Sequence, residues 1–195
     1  MPEAKQITRS TQYATCADFQ RIFDEDMNSL HLLSLLLTAD REKAEQCFVS
    51  GLDDAVDGNP VFKEWARSWA RRVIIQNAVR TIHPRPAEDS RSRSNSIDSH
   101  DKTLQDEQQV EMAAVLELEP FERFVYVMTI LEHYSDYECS LLLSSSRRDV
   151  LAARTHAFQQ LGSAMEKHSK QLPTAQHSTL HERRTSVLDL MVARA

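Results

Sequence analysis

The sequence predicts an all-α protein made of two small helical domains joined by a flexible linker. Three observations carry that expectation. Only 3 glycines and 6 prolines punctuate 195 residues that are rich in Leu, Ala, Glu and Arg, a composition that suits helices. Apolar residues recur at spacings of three and four through most of the chain, the period of an amphipathic helix. Between residues 83 and 109 that period dissolves into HPRPAEDSRSRSNSIDSHDK, whose Ser, Pro and alternating charge read as a linker. The expected boundaries are residues 17–81 for the first domain and 82–102 for the linker, then 103–168 for the second domain and 169–195 for a C-terminal tail.

In the first block, Phe19, Ile22, Phe23, Met27, Leu30, Leu33 and Leu37 form one stripe and predict a single long helix. Asp40 can cap a second helix, REKAEQCFVSGLDDAV, which Gly58 ends. Asn59 and Pro60 read as a cap followed by a proline at the first helical position, so a third helix is expected over VFKEWARSWARRVIIQNAVR. Along it Lys63, Arg67, Arg71, Arg72 and Arg80 face one acid, Glu64. Five bases less one acid make it locally +4 in a chain of net charge −6. Trp65 and Trp69 are four apart and share a face. Arginine neutralises phosphates and any unstacked base can stack on an indole, so the pattern suits a nucleic acid. A solvated basic face with one tryptophan in the core would produce the same pattern.

The second block starts near Thr103 and continues through QDEQQVEMAAVLEL. Pro120 marks the next helix, with Phe121, Phe124, Val125, Met128 and Leu131 on one face. The stretch YSDYECSLLLSSSRRDVLAARTHAFQQL then holds two start signals in close succession. Ser135 with Glu138 matches the capping box, and Ser146 with Asp149 is a weaker version of it. A short helix over residues 135–143, a turn at 144–146 and a second helix from Arg147 make a helix-turn-helix. Leu142, Leu143, Val150, Ala153, Ala157 and Leu161 supply the seam, and the small alanines allow a close crossing. Arg147 and Arg148 then point outward from the end of the helix that, in this motif, enters the major groove, where arginine pairs with guanine edges or phosphates. An ordinary helical hairpin shares the apolar spacing. Near the C-terminal end, HERRTSVLDLMVAR reads as a short amphipathic helix with no place in either core.

Other features exclude whole classes of function. The longest apolar run, residues 30–37, is interrupted by His31 and Ser34 and is too short for a bilayer. MPEAKQITRSTQY lacks an apolar signal core, so a cytoplasmic protein is expected, with no membrane partner. Cys16, Cys47 and Cys139 are odd in number and show no C-x-x-C spacing. They read as reduced thiols, Cys139 as a small core residue. His31 reads as a core-edge residue, and His177 and His181 lack a third ligand, so no metal is expected. With no glycine-rich phosphate loop and no nucleophile–base pair, the chain has no catalytic residues, no cofactor and no small-molecule substrate to propose.

The two blocks, in this order and at this distance, resemble regions 2 and 4 of the extracytoplasmic-function sigma factors of bacterial RNA polymerase. LHLLSLLLTADREKAE resembles the region 2 hairpin, and NPVFKEWARSWARR resembles the promoter-melting helix. LELEPFERFVYVMTILEHYSDYECSLLLSSSRRDVLAARTHAFQQL resembles region 4, with its L-P-x-x-x-R type of start and its Ser-x-x-Glu opening. The resemblance spans residues 18–80 and 116–161. It implies a sigma-type initiation factor that catalyses nothing itself. Core RNA polymerase would dock on the helix over residues 40–55 through Asp40, Glu45, Gln46, Phe48 and Val49. The third helix would meet the −10 element of promoter DNA, with Trp65 and Trp69 at the point of strand separation and Arg67, Arg71 and Arg72 on phosphates. Trp65 is expected as the buried anchor and Trp69 as the exposed ring. Ser146, Arg147 and Arg148 would contact the −35 element, Arg148 on a base and Arg147 on phosphate. An anti-sigma factor is a further partner of the kind the family has.

The sequence departs from that pattern at several points. Ala44-Glu45-Gln46-Cys47-Phe48-Val49 stands where the family has Ala-Glu-Asp-x-x-Gln, Arg72 replaces an Asn, Gln76 an Asp, and Ser144 the turn glycine. Two other readings therefore stay open: a polymerase-independent helix-turn-helix regulator, and a protein-binding helical module.

Overall fold

The computed structural model describes residues 12–86 and 107–171. The chain divides into two compact units, Met1–His83 and Pro84–Ala195. Among the described residues there is no strand, only an isolated antiparallel bridge between Tyr13 and Phe62, and no helix is long and apolar enough to cross a membrane. Most of the expected linker, the stretch around Thr103, and the tail from residue 172 lie outside the described residues. So do His177, His181 and the helix expected over residues 181–194.

The N-terminal unit packs α1 (Cys16–Glu25), α2 (Met27–Thr38), α3 (Arg41–Asp57) and α4 (Ala66–Ile82) around one core. Phe23, Leu30, Leu33, Leu37, Ile74 and Ile75 are fully buried there, each removing enough apolar surface to contribute about 1.5–3 kcal/mol. Thr15 opens α1 with a full capping box: its hydroxyl accepts from the Asp18 N–H while the Asp18 carboxylate accepts from the Thr15 N–H. The Thr15 backbone N–H, its hydroxyl and then Lys63 hold the Asp18 carboxyl down to about 2. Asp40 caps α3 as expected, accepting from the Lys43 N–H at 3.1 Å, and Gly58 ends it in an extended conformation. Gly51 lets α3 and α4 approach closely, since a Cβ there would stand 2.6 Å from Ile74 Cδ1.

Two expectations fail in this unit. The single long helix is interrupted at Asp26, whose φ of −103° and ψ of 13° leave the helical region. The side chains of Glu25 and Asp26 at that break both bond to Arg67. The third helix does not start at Pro60 either. Residues 60–62 stay extended because Ala14 N donates to Val61 O at 2.7 Å and Lys63 N to Gln12 O at 3.0 Å. A single 3₁₀ turn, Lys63–Trp65, follows, and the α-helix begins at Ala66.

The C-terminal unit consists of α5 (Glu107–Glu117), α6 (Pro120–Tyr126), a π turn (Val127–Leu131), α7 (Asp136–Leu142) and α8 (Arg147–Gln171). Pro120 stands at the first helical position, where its missing N–H costs nothing. Phe121, Phe124, Val125 and Met128 are buried as the spacing predicts, whereas Leu131 is half-buried. Cys139 is a buried core thiol, pushed up to about 12 by burial and by the carboxylates of Asp136 and Glu138.

Candidate nucleic-acid interface

The helix-turn-helix is built almost entirely from local signals. Ser135 accepts from the Glu138 N–H while Glu138 accepts from the Ser135 N–H at 2.9 Å. Ser146 and Asp149 repeat the exchange at 3.2 Å in both directions. Between the helices, Ser145 N donates to Ser140 O at 3.0 Å and Ser144 N to Leu141 O at 3.4 Å. That pair of bonds is the Schellman motif, with Ser144 at the left-handed position usually held by glycine. Its φ is 48°, so the turn closes in spite of the missing glycine. Leu143, Val150, Ala153, Ala157 and Leu161 are buried in the seam; Leu142 is only half-buried. Arg154 on α8 bonds to Asp136 on α7 at 2.7 Å and ties the two helices together.

Ser146, Arg147 and Arg148 are exposed at the start of α8. Arg148 matches the outward orientation expected of it. Arg147 does not clear the first helix: its guanidinium lies 5.9 Å from the ring centroid of Tyr137 on α7, a cation–π distance. Tyr137, itself exposed, therefore belongs with these arginines, although no spacing in the sequence singled it out.

The N-terminal unit arranges its candidate residues differently from the expectation. Trp65 is 56 % exposed, while Trp69 is half-buried with its Nε1 buried and without a hydrogen-bond partner. The roles assigned to the two tryptophans are thus reversed. Because the α-helix begins only at Ala66, its inner face is Ala66, Ala70, Val73, Ile74, Asn77 and Ala78, and Trp69 flanks that face while Trp65 precedes it. Trp65 instead meets Phe62 edge-on at 5.1 Å, and Phe62 stacks on Tyr13 at 4.8 Å. This aromatic platform was invisible in sequence because Tyr13 comes from a separate segment.

The basic face of α4 is also quieter than its composition suggests. Lys63 pairs with Asp18 at 3.2 Å and Arg80 with Asp54 at 2.9 Å. Arg67 bonds to both Glu25 and Asp26, and the bond to Asp26 in particular raises its pKa. A phosphate role for Arg67 would have to displace two carboxylates. Arg71 donates to Ser29 Oγ at 3.0 Å, and Arg72 is half-buried.

On α3 the residues expected to dock a polymerase separate into two groups. Glu45, Gln46 and Val49 are exposed, Val49 by 59 %. Asp40 is committed to its cap, and Phe48 is half-buried with its ring edge-on to Phe23 at 5.3 Å. Phe48 and Glu45 line one side of a shallow groove of about 440 Å³, with Met27, His31, Leu32 and Leu35 of α2 on the other.

Among the described residues no group of three or more His, Cys, Asp or Glu side chains could hold a metal ion. No protein-family model matches the chain, and no curated protein matches it.

Proposed function

We propose that the protein is a sigma-type initiation factor, with the α7–α8 helix-turn-helix as its promoter-reading head and core RNA polymerase as the partner of its N-terminal unit. One observation carries the reading: two doubly capped helices meet across a Schellman turn, and the second starts with Arg147 and Arg148 exposed. An α-helix fits the major groove, and arginines in its first turn are placed for guanine edges or phosphates. The exposed Trp65 beside Phe62 and Tyr13 supports a place for an unstacked base. Exposed Glu45, Gln46 and Val49 on α3 support a protein contact there.

A second reading draws on the ion pairs of α4. With Lys63, Arg67 and Arg80 each paired to an acid, the N-terminal unit offers phosphates little free charge. That favours a regulator which binds DNA through the helix-turn-helix without polymerase.

Transcription reconstituted with core polymerase on pooled genomic fragments separates the two. Promoter-dependent transcripts that disappear with Arg148→Ala are expected. Duplex binding without any transcript would leave the regulator reading. Failure in both assays would reject DNA binding altogether.

A further inference from the structure

Helix α8 keeps Val150, Ala153, Ala157 and Leu161 buried in the core of its unit. On a flank beside that face Leu151, Phe158 and Met165 are 45 %, 49 % and 44 % exposed. They stand seven residues apart and form one row along about 21 Å of helix, at 1.5 Å per residue. A second row, Arg148, Thr155 and Gly162, is offset from the first by three or four positions and is exposed throughout. A Cβ added at Gly162 would meet nothing within 4 Å. Two such rows, each repeating every seven residues, are the seam along which helices pair. Single exposed apolar residues are ordinary, but three in register form a continuous patch.

We propose that a second copy of this chain packs on this seam, with the two α8 helices antiparallel. The seam is complementary to itself. Centred between His156 and Ala157, antiparallel pairing sets Leu151 on the second copy's Gly162 and Phe158 on its Thr155. Met165 meets the aliphatic stem of the second copy's Arg148, and twofold symmetry makes every contact twice. Each layer thus joins a large side chain to a small or flexible one. Parallel pairing would instead press Phe158 on Phe158 and set Gly162 against Gly162, a clash followed by a void. Charge agrees as well: Glu166, exposed beside Met165, falls next to the second copy's Arg148 at both ends of the seam. Each large residue would bury roughly 100 Å², about half of what a big side chain can lose. With the second row, two copies cover on the order of 1,000 Å², the lower end for a specific interface. A weak dimer is expected, with a Kd on the order of 10 μM. On the reading that Arg148 contacts a base, the dimer also hides that residue from duplex DNA; the association itself is measured without DNA and does not rest on that reading.

Sedimentation equilibrium of the full chain between about 1 and 200 μM tests the proposal, and the mass should rise from monomer to dimer across that range. Gly162→Gln fills the hole that Leu151 enters but meets open space in the single chain. It should leave the helical circular dichroism unchanged and weaken the dimer at least about tenfold. Arg148→Glu sets like charges against each other and should weaken it too, while Arg148→Glu/Glu166→Arg should restore it. Where Gly162→Gln alters the dichroism, the charge exchange decides alone. A chain that stays monomeric at the highest concentration overturns the proposal. So does a dimer that a folded Gly162→Gln variant leaves intact, or one that the charge exchange fails to restore.

Discussion

Arg123 is an arginine inside a core. It is 5 % exposed and its Nη1 donates to Leu118 O at 2.8 Å and Leu116 O at 3.3 Å, closing the end of α5. Burial draws its pKa down to about 10, against the opposing pull of Glu119, so it stays charged at neutral pH. Arg123→Met keeps the bulk but orphans the carbonyls. It should destabilise the unit by about 2–3 kcal/mol, read as a lower urea midpoint at unchanged slope. Its neighbour Glu122 is 7 % exposed, and burial raises its pKa above the ordinary 4.5 despite His156 and Gln160. The folded state therefore holds this proton more tightly than the unfolded one. The stability it contributes is full below 4.5 and is lost as pH rises through the folded pKa. Glu122→Gln removes that titration and keeps a carbonyl for Gln160, which lies 2.9 Å away. The variant should melt above the parent at pH 7, with the gap closing below pH 4.5. A constant gap across pH would refute the assignment.

At the scale of elements, the turn between α7 and α8 carries strain that one substitution can relieve. Ser144 adopts φ 48°, a region that disfavours any residue with a Cβ. Ser144→Gly loses no side-chain hydrogen bond and should stabilise the C-terminal unit by about 0.5–1 kcal/mol. A melting temperature that fell instead would mean the serine side chain contributes more than the strain costs. The start of α4 supports a matched pair of changes. Trp69→Ala removes a half-buried indole and should cost about 2 kcal/mol. Trp65→Ala, at 56 % exposure, should cost less than about 1 kcal/mol yet weaken binding to single-stranded DNA. Equal destabilisation by both would contradict the burial pattern.

The whole molecule carries a net charge of −6, and much of its basic face is paired internally. If the helix-turn-helix is the reading head, with Arg147 on phosphate and Arg148 on a base, duplex affinity should fall with a salt slope near one, about three- to fourfold between 50 and 200 mM. A slope near four or more would show that the α4 ion pairs open on binding and that Lys63, Arg67 and Arg80 turn to DNA.

What the sequence determined by itself is what depends on near neighbours. Helical class, the caps at Asp40, Ser135 and Ser146, the proline start at Pro120 and the α7–α8 seam all rest on spacings of one turn, where backbone geometry alone decides who meets whom. Thr15 with Asp18 follows the same local rule. Tertiary structure decided the rest. The bridge from Tyr13 to Phe62 delays α4 and so chooses which tryptophan is buried. Arg67 finds Asp26 across 41 positions, which turns an apparent phosphate contact into an internal ion pair. Such encounters depend on how helices pack, and no local period in the chain encodes them.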